Sequence, residues 1–267
     1  MRKIDSTEEI QKIILPILVY ADTICREFNL RYALSYGTLI GAIRHKGFIP
    51  WDDDIDIMMP RPDFNRFVEI MRQKQVSGED QFAMMDPYDI ESFYTVWMLK
   101  LYRKDTLFYE CPRKYTLSYG AFIDIFPVDA WPDTMEATQQ LFKQHHFYDK
   151  ILHEYAASKF STSRMRGLVK PICRPIAKWG LKRWQAVCNQ RDFESSTYAG
   201  VLIGTDWHRE RLYKEEFDNL IDVEFEGHRF KTIPSYDAYL RSIYGDYMQL
   251  PPEDERRRGH IEHLYIK

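Results

Sequence analysis

The sequence predicts an α+β fold, a mixed sheet with flanking helices and a basic helical elaboration. Three observations lead there. Asp54, Ile55, Asp56 and Ile57 alternate acidic and apolar side chains and run into Met58-Met59, and Ala121–Phe126 is apolar on both sides except for Asp124, so both read as strands. Capped stretches of helical period surround them. From Lys159 to Arg191 a helix-like stretch carries Arg164, Arg166, Lys170, Arg174, Lys178, Lys182, Arg183 and Arg191 with no acidic residue among them.

Ser6 with Glu9 three residues later is a capping-box pattern. It opens an amphipathic helix whose stripe is Ile10, Ile13, Ile14, Ile17, Leu18, Ala21, Ile24 and Phe28, with a kink expected at Pro16. Arg31–Tyr36 reads as a short strand ending at Gly37-Thr38, and Leu39–His45 as a short helix. Gly47 and Pro50 mark the turn into the acidic strand. Pro62 starts a helix carrying Phe64, Phe67, Val68 and Met71. Strands are expected near Phe82–Met85 and Tyr94–Tyr102, a helix over 135–160, a hairpin about Gly227, and a helix over Tyr236–Tyr244. The expected organisation is a single domain, residues 1–267, with a core of 1–134 and 200–267 and the helical elaboration at about 135–199.

The chain is long enough to bury a sizeable core. Its formal charge of 37 − 40 = −3 argues against a general nucleic-acid binder. Four scattered cysteines without a CxxC give neither a zinc framework nor a disulfide pattern, so a reduced cytoplasmic setting is expected. No signal-peptide core and no run of about 18 apolar residues is present.

The acidic run Trp51-Asp52-Asp53-Asp54-Ile55-Asp56-Ile57 carries the chemistry. A strand that buries Ile55 and Ile57 holds Asp54 and Asp56 parallel, and two like charges so close invite a divalent cation. A solvated loop is the alternative. An EF-hand is excluded, because its sixth and twelfth positions would be Ile57 and Asp63. Asp124, alone in an apolar strand, needs a partner. A metal shared with Asp54 and Asp56 supplies one; an ion pair with an Arg or Lys is the structural alternative. Asp52 and Asp53 are expected to support the site electrostatically or face solvent, and Asp129 to cap the next segment.

The order of a Gly-Thr turn, a D-x-D strand and a third acidic strand matches the nucleotidyltransferase superfamily typified by DNA polymerase beta. Further, the run YALSYGTLIGAIRHKGFIPWDDDIDIMMPRPDFNRF closely resembles the LicD family of phosphocholine transferases, which shares its core with fukutin and fukutin-related proteins. GAFIDIFPVDAWP and YGDYMQLPPEDERRRGH look like further landmarks of that family.

The resemblance implies transfer of a phospho-alcohol, typically phosphocholine from CDP-choline, to a sugar hydroxyl of a cell-surface glycan such as teichoic acid or lipopolysaccharide, with release of CMP. It implies Mg²⁺ (or Mn²⁺), a CDP-activated alcohol as donor, a glycan acceptor that includes lipid-linked forms, and no nucleic-acid partner. Asp54, Asp56 and Asp124 would be catalytic and hold one or two metals; Asp124 would act as ligand or as proton acceptor. Backbone N–H groups after Gly37, with the Thr38 hydroxyl, would meet phosphate oxygens. Arg44 and Lys46 would bind the diphosphate or the leaving CMP, the alternative being an exposed helix end. His260, with His263 nearby, would grip the acceptor or a phosphate, the alternative being a solvated tail. The basic stretch is a solvated face or binds a lipid-linked precursor through peripheral contact at the inner membrane surface. Two other functions stay open: a nucleotidyltransferase moving NMP from an NTP to a small molecule, and an inactive glycan-binding relative.

Overall fold

The structure, a computed structural model, describes residues 1–78, 81–91, 98–110, 117–159, 164–202, 207–256 and 264–267. Within these, the side chains of 109–110, 117, 158–159, 164–172 and 207 lie outside the description. His260, His263, Arg257 and Arg258 are outside it as well, as are the side chains of Arg164, Arg166 and Lys170.

In chain order the elements are β1 (Arg2–Ile4), α1 (Thr7–Glu27), β2 (Ala33–Leu34), α2 (Tyr36–His45), β3 (Asp56–Pro60), α3 (Arg61–Ser77), β4 (Phe82–Met85), β5 (Leu99–Arg103), β6 (Thr106–Glu110) and β7 (Leu117–Tyr119). They continue with β8 (Phe122–Trp131), α4 (Met135–Lys159), α5 (Arg164–Cys188), β9 (Tyr198–Val201), β10 (Leu212–Tyr213), β11 (Ile221–Phe225), β12 (His228–Thr232), α6 (Tyr236–Tyr244) and β13 (Leu264–Ile266). The fold is α+β.

The central sheet is mixed. β8 runs parallel to β3 along one edge, and β3 pairs antiparallel with β2. The other edge of β8 is divided. Its first half pairs with β5, which carries β4, and its second half with β9, which carries β10. A ten-residue strand with two successive partners on one edge is more firmly held than a strand half its length. A second sheet, β1-β13-β6-β7, brings Arg2–Ile4 beside Leu264–Ile266. β11 and β12 form the expected hairpin, whose turn needs positive φ at Glu226 (50°) and Gly227 (74°).

Helix α1 begins where the Ser6 hydroxyl accepts the Glu9 N–H at 3.4 Å, and continues unbroken past Pro16. Its stripe from Ile10 to Ile24 is buried, each fully buried Ile or Leu contributing about 1.5–3 kcal/mol. Phe28 instead lies at the C-cap, partly exposed. Several boundaries differ from the sequence reading. Strand β2 is only two residues long, and α2 already starts at Tyr36, so Gly37 and Thr38 belong to its first turn. Strand β3 begins at Asp56, although the Asp124 N–H still donates to the Ile55 carbonyl at 2.9 Å. β8 reaches Trp131, and β5 starts at Leu99; residues 94–97 are outside the description.

Asp129 does not cap a segment. It is buried and forms a two-pronged ion pair with Arg61 at the start of α3 (2.6 and 2.7 Å). Arg61 also donates to the Tyr88 hydroxyl and stacks over Phe64 and Trp184, the latter from α5. Burial pushes the His145 imidazole down to about 3, so it packs beside Trp184 as a neutral ring. This cluster ties the α4–α5 hairpin to the sheet. Within the hairpin, Leu152, Tyr155 and Ala156 meet Ala177, Leu181, Trp184 and Cys188.

Candidate active site

Register builds the site. In β3 and β8, Asp56 stands directly beside Asp124; in β8 and β5, Asp124 stands directly beside Lys100. The antiparallel β2–β3 pairing, extended one residue by the Ser35 N–H donating to the Asp56 carbonyl (3.1 Å), brings Ser35 opposite Asp56. Adjacent strands in register put these four side chains in a row on one sheet face, about 4.8 Å apart from strand to strand. The row reads Ser35, Asp56, Asp124, Lys100.

Ile55 and Ile57 are fully buried on the other side, so the alternation expected from Asp54 onward holds, with Asp54 two residues ahead of the strand. Burial raises the Asp56 carboxyl well above its usual range. Asp54, Asp124 and Asp52 push it the same way, against a smaller pull from Lys100. Asp52 is pushed up to about 8, by burial and then by Asp54. Its Oδ2 lies 2.9 Å from where a Gly37 side chain would begin, so a larger residue there would push this carboxylate off the first turn of α2. The main-chain carbonyl of Asp52 accepts from Gln11 of α1 at 2.8 Å. Asp53 is fully buried, so facing solvent is ruled out for it.

Asp124 is bonded to the Lys100 ammonium at 2.9 and 3.2 Å. The ammonium also lies 3.7 Å from the centre of the Phe122 ring, a site where cation and carboxylate are both shielded from water. The ion-pair alternative for Asp124 is therefore realised. Lys100 was not singled out in the sequence, yet the signal was there: a lone cation in Met98-Leu99-Lys100-Leu101 is as costly to bury as a lone carboxylate.

Thr38 is buried, and its hydroxyl accepts the Asp56 N–H at 2.8 Å, which pins the first turn of α2 to the acidic strand. Tyr36 holds φ = 45°, a left-handed conformation costing of order 1 kcal/mol for a bulky residue. Its ring packs edge-on to Phe126 and its hydroxyl donates to Glu210 at 3.2 Å. Burial raises Glu210 to about 7, with Tyr36 and Tyr239 donating to it. Tyr244 is raised by burial and by Asp56, Glu210, Asp54 and Asp52, which places it at the rim of the same carboxylate group.

Beside this rim is a cavity of about 380 Å³ lined by Arg44, Trp51, Tyr244, Tyr247, Leu250 and Pro251 among others. Arg44 donates to the Tyr247 carbonyl at 2.6 Å, so it joins α2 to the segment after α6. Lys46, the left-handed C-cap of α2, is exposed. Gly37 and Lys46 thus stand at opposite ends of a ten-residue helix, about 15 Å long. His260 lies outside the described residues.

The donor set is all oxygen, which suits a hard cation such as Mg²⁺. Among the described residues no three acidic, histidine or cysteine side chains close around one point as a metal cage. That fits magnesium's habit of using one or two carboxylates and completing its shell with water and substrate phosphate. Asp54 and Asp56 are the residues that fit, and the mutual repulsion that raises Asp56 is what a cation would relieve.

The description "LicD/FKTN/FKRP, nucleotidyltransferase domain" belongs to the family whose sequence profile matches residues 29–167, the stretch holding the whole row. The chain belongs to this family and is a transferase of phosphorus-containing groups. Over 276 aligned positions covering all of both chains it is 32% identical to the lipopolysaccharide cholinephosphotransferase LicD of Haemophilus influenzae. It is also 29% identical over 148 residues, 54% of this chain and 45% of the other, to an uncharacterized protein of Rickettsia prowazekii.

Proposed function

We propose that this protein transfers phosphocholine from CDP-choline to a sugar hydroxyl of a cell-surface glycan of the lipopolysaccharide type and releases CMP, on a polymerase-beta-like core. The full-length similarity to a lipopolysaccharide cholinephosphotransferase carries the substrate class. The in-register row carries the chemistry.

In this reading Asp54 and Asp56 would hold Mg²⁺ or Mn²⁺. When bound, the cation neutralises charge on the phosphates at the point of transfer. Asp124, oriented by Lys100 and by its main-chain bond to Ile55, accepts the proton of the attacking sugar hydroxyl. The sugar oxygen forms its bond to the phosphorus that bears the alcohol as the bond to CMP breaks, and CMP leaves as the anion. In the neighbouring cavity the Tyr244 ring offers a face to a quaternary ammonium and Arg44 offers charge to a phosphate, while Arg256 and Arg241 already stack over the Trp51 and Tyr247 rings.

The deciding experiment incubates the protein with a panel of CDP-alcohols and NTPs with Mg²⁺ or Mn²⁺. CMP from CDP-choline, lost on adding a chelator, is the expected result. Pyrophosphate from an NTP without CMP from any CDP-alcohol would mean a nucleotidyltransferase instead.

Ser35 gives a separate check. Its hydroxyl is fully buried and has no hydrogen-bond partner among the described residues, at the end of the row. An unsatisfied buried hydroxyl costs about 1–3 kcal/mol, and a substrate phosphate or hydrated cation would supply its partner. Ser35→Ala is therefore expected to raise the unfolding free energy by about 1 kcal/mol while lowering kcat about tenfold or more. Equal kcat in the two proteins would remove Ser35 from the site.

A further inference from the structure

The α4–α5 hairpin has a face the catalytic reading does not use. Phe147 and Trp179 are 58% and 51% exposed, and Tyr148 bridges them with ring centres 5.2 and 5.6 Å away. Ile176 extends the patch at 51% exposure, with Pro175 also exposed. Four bulky apolar side chains in one run across two helices is more than the scattered exposure ordinary for a surface.

Charge surrounds this run. On α5, Lys182 and Arg183 flank Trp179 at helical spacing and Lys178 adjoins it; on α4, Lys143 and Lys150 lie one turn either side of Phe147, all exposed. α5 has no acidic residue along its 25-residue length, and on the Phe147 face of α4 the acids Glu136 and Glu154 stand two to three turns from the ring. The opposite faces of both helices are buried against each other and the sheet. Among the described residues no helix is long and apolar enough to cross a membrane.

We infer that this face seats the protein on an anionic lipid surface, with Phe147, Trp179 and Ile176 entering the headgroup region and the five cations meeting lipid phosphates. An amphipathic helical face with Trp and Phe at its centre and Lys or Arg at its margins is the pattern that lies in a bilayer interface. The sequence alone offered only the charges. The apolar half appears when α4 folds beside α5. The inference is independent of which alcohol is transferred.

The test is co-sedimentation with vesicles of phosphatidylglycerol and phosphatidylcholine against vesicles of phosphatidylcholine alone. Wild type is expected to favour the anionic vesicles by about tenfold or more. F147S/W179S and K178Q/K182Q/R183Q should each lose about tenfold in that binding. Far-UV circular dichroism and the melting temperature without vesicles should stay at the wild-type values, which shows that the variants fold. Equal wild-type binding to both vesicle types, or variants that bind like wild type, would overturn the inference. So would a dimer in wild type that F147S/W179S converts to monomer, which would assign the face to a second copy of the chain.

Discussion

Asp56→Asn is expected to abolish transfer, by about 10³-fold or more in kcat, and at the same time to make the metal-free protein more stable. The two effects have one origin. Burial raises the Asp56 carboxyl well above the ordinary 3.8, and the neighbouring Asp54, Asp124 and Asp52 push it further the same way. A carboxyl raised in the folded state binds its proton more tightly there than in the unfolded chain. Its stabilising contribution is therefore complete below pH 3.8 and is lost as pH rises through the folded-state value. At neutral pH the ionised wild-type residue thus works against the fold, and the amide removes that penalty. Thermal melts of both proteins in chelator from pH 4 to 8 should diverge as pH rises, Asp56→Asn melting a few degrees higher at the alkaline end. Saturating Mg²⁺ should narrow the gap by stabilising only the wild type. A fully active Asp56→Asn protein would refute the assignment of the cation to this pair.

Asp129→Asn is expected to be the most damaging single change to stability, costing about 3–5 kcal/mol, a large part of the 5–15 kcal/mol typical of a folded domain. The reason is what it leaves behind. Arg61 is about 3% exposed, and its guanidinium would keep its charge without the carboxylate that meets two of its nitrogens. Removing both charges is a different experiment. Arg61→Met combined with Asp129→Leu should recover most of the loss, because neither a stranded charge nor an unmet acceptor remains. Urea unfolding of the three variants measures this. An Asp129→Asn protein within 1 kcal/mol of wild type would show that the pair adds little to holding α3, β8 and the hairpin together.

Local features were legible in the sequence; of the long-range ones, the meeting of Asp56 with Asp124 was expected and most others were not. The Ser6 cap, the Ile55/Ile57 alternation, the α3 start near Pro62 and the turn at Gly227 each depend on neighbours within a few residues, and each is found in the structure. Asp124 announced that it needed a partner but not which one. Lys100 lies 24 residues away, and only the β5–β8 register brings the two together. Asp129 and Arg61 are 68 residues apart, so a carboxylate near a helix start looked like a cap. Strands β1 and β13 are three residues each and far apart in sequence, too short for a period-two pattern to register. Ser35 was passed over because an orphaned hydroxyl is a property of packing and leaves no mark on composition.

Strand β8 carries two carboxylates, Asp124 and Asp129, five residues apart. An odd separation in a strand sends them to opposite faces, one toward the catalytic row and the other toward Arg61. Inserting or deleting a single residue between them would reverse one side relative to the other. Either the row would lose its acid or Arg61 would face a side chain of the wrong kind. The interval from 124 to 129 is thus locked in length as well as in identity. Pairing with β3 from Asp124 to Val128, and with β9 at Asp129, leaves no loop there to absorb the change.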